Sequence, residues 1–181
     1  MLPYFMSIII KKISLIIFFT SFLFAKEPFL ATLVSIDSND IQTFQYGTIK
    51  FTCLPYGVVA LDQLYREADE KSNCKKSIRK YYQKRRDLLF YTNTKMHREQ
   101  IYSIKRKENN RCIVHVAGEK SLSEFLLDKG LAVVKPAFQD RLYRYYFKSA
   151  EKKARLERIG LWNENIKNEC VAYLYVKDNV E

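Results

Sequence analysis

The sequence predicts an α+β fold in one domain, mainly a small β barrel with helices packed on it. Three observations carry this. Short runs of alternating apolar and polar residues, separated by turn formers, fill residues 29–54. Two helical patterns, one basic at 75–86 and one alanine-spaced at 140–158, lie between and after the strand patterns. A chain of 181 residues that is 48% hydrophobic and 14% aromatic, with only 5 Gly and 4 Pro, can bury one core. The same composition excludes a disordered tail, a collagen-like repeat and a polytopic membrane protein.

The elements follow in order. Residues 1–25 stand apart: Lys11 and Lys12 precede an uncharged apolar run from Ile13 to Ala25. A helix of that length spans about 20 Å against a bilayer core of roughly 30 Å. A basic n-region, a short apolar h-region and a terminal Ala25 describe a secretory signal peptide, with Met6 as an alternative start. The other reading is an uncleaved membrane anchor. No cysteine follows the apolar run at once, so a lipoprotein is not expected.

Residues 29–36 are β-branched and apolar, and Asp37-Ser38-Asn39-Asp40 is a turn cluster. Residues 41–45 and 48–54 flank Tyr46-Gly47, a hairpin turn. In the second arm Ile49, Phe51 and Cys53 alternate with Thr48, Lys50 and Thr52, and Pro55 and Gly57 end it. Residues 58–71 read as a poorly patterned connection. Ser72 or Asn73 caps a helix running to about Arg86, with Cys74, Ile78, Tyr81 and Tyr82 on its apolar side. Residues 88–91, 100–105 and 111–116 read as strands, with a turn at Lys107-Glu108-Asn109-Asn110. Ser121-Leu122-Ser123-Glu124 is a capping box opening a short helix that Gly130 stops. Residues 131–134 return as a strand. In the last long helix Leu142, Tyr146, Ala150 and Ala154 recur every four residues. Residues 170–176, read by themselves, alternate like a strand. The order β-β-β-α-β-β-α-β-α matches a small Greek-key barrel of the OB type.

The chain carries 31 Lys+Arg against 20 Asp+Glu, and its formal charge of +11 falls only to +9 without the signal segment. That excess points to a polyanion or an acidic membrane surface as partner. Four cysteines, Cys53, Cys74, Cys112 and Cys170, in an exported chain predict one or two disulfides, with three pairings open. No CxxC pair exists, and only His97 and His115 are available to join a metal cluster, which argues against zinc.

Residues 111–162 narrow the fold further. Cys112-Ile113-Val114-His115-Val116-Ala117-Gly118 leads to the capped helix, then Gly130-Leu131-Ala132, then a charged helix closing on Arg158-Ile159-Gly160-Leu161-Trp162. This resembles the staphylococcal nuclease (thermonuclease) family, by motif over that half and by element order elsewhere. The resemblance implies a staphylococcal-nuclease-like OB-fold domain over residues 26–164, with residues 165–181 as a C-terminal extension. It also implies calcium-dependent phosphodiester cleavage of DNA and RNA. That chemistry uses carboxylates on a divalent ion, a Glu that positions water, and two arginines on the scissile phosphate.

Carried over position by position, most of that machinery is unmatched. The family's first loop reads Asp-Gly-Asp-Thr; here Asp37 matches the first Asp and Asn39 stands at the metal-binding one, with Asp40 one residue on. The third strand places Lys50 at the first arginine, Pro55 at the second metal Asp and Val58 at the Glu. Sliding the motif recovers Asp62, with Glu67 as a distant substitute for the Glu. Counting back from Gly118, the second arginine falls on Asn109, with Arg106 and Arg111 offset.

The expectation is therefore an exported nucleic-acid-binding protein, periplasmic or secreted, monomeric, and not stably held to the membrane after signal cleavage. Its phosphodiesterase site reads as degenerate. The binding set is Lys50, Arg79, Arg85, Arg86, Lys105, Arg106 and Arg111, in two patches. One alternative is an active secreted endonuclease with a rearranged site: Asp40 and Asp62 on calcium, Lys50 and Arg111 on the phosphate. Another is a cell-envelope protein-interaction module. Tyr81, Tyr82 and Tyr91 read as core residues before base-stacking ones, and His115 as a strand residue before a ligand. Neither Asp140 nor Glu151 has a partner suited to acid–base catalysis.

Overall fold

In a computed structural model the chain is described at residues 27–118 and 120–176; the signal-peptide expectation for 1–25 lies outside these. Strands β1 (Phe29–Ser38), β2 (Ile41–Tyr46) and β3 (Ile49–Pro55) form an antiparallel meander. After β4 (Val58–Ala60) come helices α1 (Leu61–Glu67), α2 (Asn73–Lys84) and α3 (Arg86–Leu89), then a 3-10 turn at Tyr91–Thr94. Strands β5 (Ile101–Arg106), β6 (Arg111–Ala117) and β7 (Lys120–Ser121) lead into α4 (Leu122–Asp128). The chain ends with β8 (Ala132–Val134), α5 (Arg141–Glu157), a 3-10 turn at Gly160–Trp162 and α6 (Glu164–Val176).

Five strands in the order β3-β2-β1-β5-β6 close into a barrel through parallel pairing of Leu54 with Arg111 and Pro55 with Cys112. Closure follows from the sequence. Two register shifts in β1, between Leu33 and Ser35 and between Ile36 and Ser38, bend that strand around the core. Inward positions are apolar on every wall: Leu33, Phe44, Cys53, Ile104 and Val114 are fully or almost fully buried. The Cys53–Cys112 disulfide crosses the closing seam, with Cα atoms 5.4 Å apart. A second ladder, β4 with β8, lies beside the barrel.

The helices cap and flank this barrel. Ser72 accepts the Lys75 N–H at the start of α2, and the Ser121–Glu124 capping box opens α4 as the sequence predicts. Glu151 of α5 is buried and accepts the Val134 N–H at 2.9 Å, with Lys148 and Arg155 on its other oxygen. Its role is to fasten α5 to β8. The Leu161 N–H reaches the Gly130 carbonyl at 2.7 Å, joining the two motifs of the C-terminal half.

Three sequence expectations are corrected. Residues 58–71 contain β4 and α1; Leu61 and Leu64 of α1, and Ala68 just after it, enter the core. Residues 88–91 are helical turn, not strand. Asn39 donates from Nδ2 to the Leu88 and Leu89 carbonyls and accepts the Thr92 N–H, taking backbone groups a strand would have paired. Residues 170–176 belong to a helix. The governing period starts upstream: Ile166, Cys170 and Leu174 recur every four residues and pack on the core, and Cys170 is bridged to Cys74 of α2. Among the described residues no helix is long and apolar enough to cross a membrane.

Candidate nucleic-acid interface

The β1–β2 turn carries Asp40 to one end of the barrel, and α1 brings Asp62, the other candidate metal carboxylate, beside it. Asp40 is 1% exposed and receives both Nη atoms of Arg66, at 2.6 and 2.9 Å, and the Ser38 hydroxyl at 2.8 Å. This contact raises the Arg66 pKa further above its ordinary value. Asp62 accepts the Asn39 N–H at 2.9 Å on one oxygen and the Tyr82 hydroxyl on the other. Burial pushes the Asp62 carboxyl up, and these two hydrogen bonds only partly offset it. Burial, with Asp62 alongside, raises Tyr82 as well.

Calcium takes six to eight oxygens at about 2.3–2.6 Å. Here all four carboxylate oxygens already accept hydrogen bonds, a guanidinium occupies the face of Asp40, and the Asn39 oxygen is spent on Thr92. No group of three or more His, Cys, Asp or Glu among the described residues is placed to hold a metal ion. The residues present do not fit calcium.

The β3–β4 corner is built differently. Pro55 is buried and Val58 is 0% exposed; their carbonyls accept Arg111 Nη1 at 3.1 and 3.3 Å, and Gln63 lies near its other Nη. Next to them Tyr56 donates to Asp140 at 3.2 Å, and Lys107 pairs with the same carboxylate at 3.3 Å while lying over the Tyr56 ring. Burial and the Asp140 charge push the Tyr56 hydroxyl up to about 12. Phe138 packs edge-on to Tyr56 and fills the space above Gly57. Lys50 is exposed on β3, four residues before Leu54, or about 13 Å along a strand. Arg111 pairs with Leu54 and points its guanidinium toward Pro55 and Val58, away from Lys50. The structure does not bring these two cations together.

The family model for staphylococcal nuclease homologues matches residues 32–164, well over half the chain. The chain belongs to that family. No curated protein matches it. Asn39, Pro55 and Val58 are all buried and engaged with the chain itself.

The remaining cations fall into two groups. On the barrel wall Arg106 lies over the Phe51 ring at 5.1 Å, next to Lys50 in sequence, and Lys105 is its neighbour on β5. In the second group, Arg79 of α2 and Arg86 of α3 line a cleft of about 710 Å³ with Arg66 and Arg98. Arg85 points instead to Asp87, at 2.9 Å. Sequence reading missed Arg66 and Arg98. Asp62 and Arg66 stand four apart with Leu61 and Leu64 beside them, a helical signal in the segment read as unpatterned. Arg98 carried none.

Proposed function

We propose that this staphylococcal nuclease homologue is an exported nucleic-acid-binding protein that has given up the family's metal-dependent cleavage. One observation carries the reading: the nearest carboxylates to the buried Asn39, Pro55 and Val58, which the resemblance aligns with the family's metal Asp residues and Glu, are Asp40 and Asp62, and both are already saturated with donors. With Asp40 and Asp62 saturated, Asp37 is the one carboxylate of the β1–β2 turn left exposed, too few oxygens to hold a divalent ion against the charge of an in-line displacement. The cations meanwhile remain outward: Lys50, Arg86 and Arg106 are exposed, on a chain of formal charge +11. Such a surface attracts a phosphate backbone without needing to cleave it. Two disulfides, Cys53–Cys112 and Cys74–Cys170, with no free cysteine among the described residues, support an oxidising compartment.

The test mixes the oxidised protein with plasmid DNA and total RNA, in calcium, in magnesium and in excess chelator. Retarded, intact nucleic acid in all three is expected, weakening steeply between roughly 50 and 200 mM salt. Lys50→Ala and Arg106→Ala reduce retardation. Metal-dependent degradation lost in Lys50→Ala and Arg111→Ala overturns the reading in favour of a rearranged nuclease. Absence of both degradation and retardation overturns it in favour of a protein-interaction module.

A further inference from the structure

The cleft beside the β1–β2 turn is a built feature that neither the barrel nor the family pattern requires. Its arginines come from four separate segments: Arg66 from α1, Arg79 from α2, Arg86 from α3 and Arg98 from the connection into β5. None of the four stands at a position where the family's pattern places an arginine. Two are held in place from behind. Arg66 is clamped by the buried Asp40, and Arg79 leans on the Tyr65 hydroxyl at 3.3 Å and on Glu70 at 3.5 Å. Arg86 and Arg98 have no ion pair among the described residues, and both are exposed. Asp37 and Asp62 line the same cleft and meet part of this charge, but the four arginines outnumber them, and Arg86 and Arg98 remain for an incoming anion.

The wall between the arginines is apolar and aromatic. Phe90 is 64% exposed on the cleft, and Leu89, 37% exposed, lies beside it. A flat exposed ring within a cluster of guanidiniums is the arrangement that stacks a base while its phosphate is gripped. The volume of about 710 Å³ falls in the range of small-molecule sites.

We propose that this cleft binds a nucleoside phosphate, with the phosphate on Arg86 and Arg98 and the base on Phe90. The ligand is either a free nucleotide or one unit of a single strand. This site stands apart from the barrel-wall patch of Lys50 and Arg106, and a protein that retards no polynucleotide can still have it.

The experiment titrates the oxidised full chain with adenosine 5′-monophosphate, inorganic phosphate and adenosine by calorimetry. The nucleotide binds saturably and at least about tenfold more tightly than either component, as joined charge and stacking contacts require. The Arg86→Ala/Arg98→Ala variant loses about tenfold or more, and Phe90→Ala reduces nucleotide binding to the level of phosphate. Lys153→Ala on α5 changes nothing. All these side chains are exposed, so the variants keep the wild-type melting temperature within a few degrees. Competition by a 5′-phosphorylated decathymidylate, lost in the same arginine variant, assigns the site to strand binding. Nucleotide binding without competition assigns it to free nucleotide. Absence of saturable nucleotide binding overturns the proposal, as does equal affinity for phosphate and nucleotide or binding unchanged in Arg86→Ala/Arg98→Ala.

Discussion

Gly130 and Gly160 meet backbone to backbone. A Cβ on Gly160 would lie 1.9 Å from the Gly130 carbonyl oxygen, and one on Gly130 would lie 2.3 Å from that of Ile159. Both residues are also left-handed, at φ 63° and 58°. The contact lets Leu161 donate to Gly130 and brings the end of α5 against the turn after α4. This explains why the two glycine motifs of the C-terminal half occur together.

Gly160→Ala should therefore cost about 3 kcal/mol or more, or prevent folding, because neither backbone can withdraw. Gly47→Ala is the comparison: it has the same φ of 58° with nothing within 4 Å of the added carbon, and should cost about 1 kcal/mol. Urea unfolding of both variants measures the difference. Equal costs would show that chirality alone, without the close approach, selects glycine at 160.

Arg66→Ala strands the buried Asp40 carboxylate without its counter-charge. The expected loss is about 2–3 kcal/mol, near the lower end for a broken buried pair because the Arg66 side chain is 39% exposed. Adding Asp40→Asn should recover most of it, since the charge needing a partner is gone. A double-mutant cycle by urea titration reads the coupling directly, and additive losses would refute it.

Asp62 gives the chain a pH signature. Its folded pKa lies above the unfolded value near 4, so the native state holds the proton longer than the unfolded state. Its contribution is greatest below about pH 4 and is lost as pH rises through the folded value. Asp62→Asn, which can still accept from the Asn39 N–H and donate to Tyr82, should remove that slope. The melting temperature of wild type minus variant, followed from pH 3.5 to 7.5, should fall with rising pH; a flat difference would contradict the assignment.

Replacing Cys74 and Cys170 together by serine frees α6 from α2. Cross-linking across a separation of 96 residues restricts the unfolded chain by about 4–5 kcal/mol on the chain-entropy scale, and measured losses run about 2–5. The barrel disulfide should survive intact. Thiol counting by mass, with denaturant unfolding, checks both parts.

Much of this architecture is legible in the residues. Strand alternation at Ile49, Phe51 and Cys53, the Ser121 capping box and the paired glycine motifs place most elements within a residue or two. What escapes is decided by contacts distant in the chain. Leu88 to Tyr91 is apolar enough for a strand, and only Asn39, some fifty residues away, holds it in a helical turn. Cys170 to Val176 alternates locally, but its partner Cys74 and the spacing from Ile166 make it helical. At the site, Asp40 can be nominated from sequence as a carboxylate in a turn and Asp62 by sliding the family's motif. Their saturation by Arg66, Tyr82 and the Asn39 N–H needs three elements folded together.

The two disulfides interleave: Cys53 precedes Cys74, and Cys112 precedes Cys170, so each bridge spans one end of the other. Every peptide bond from residue 53 to residue 170 is therefore enclosed by at least one bridge. A single proteolytic nick anywhere in that stretch releases no fragment; the cut ends stay tethered and only reduction lets the pieces part. To shed a segment a protease must cut twice within one enclosed span. The covalent graph thus protects the molecule's integrity even where an exposed loop has been severed.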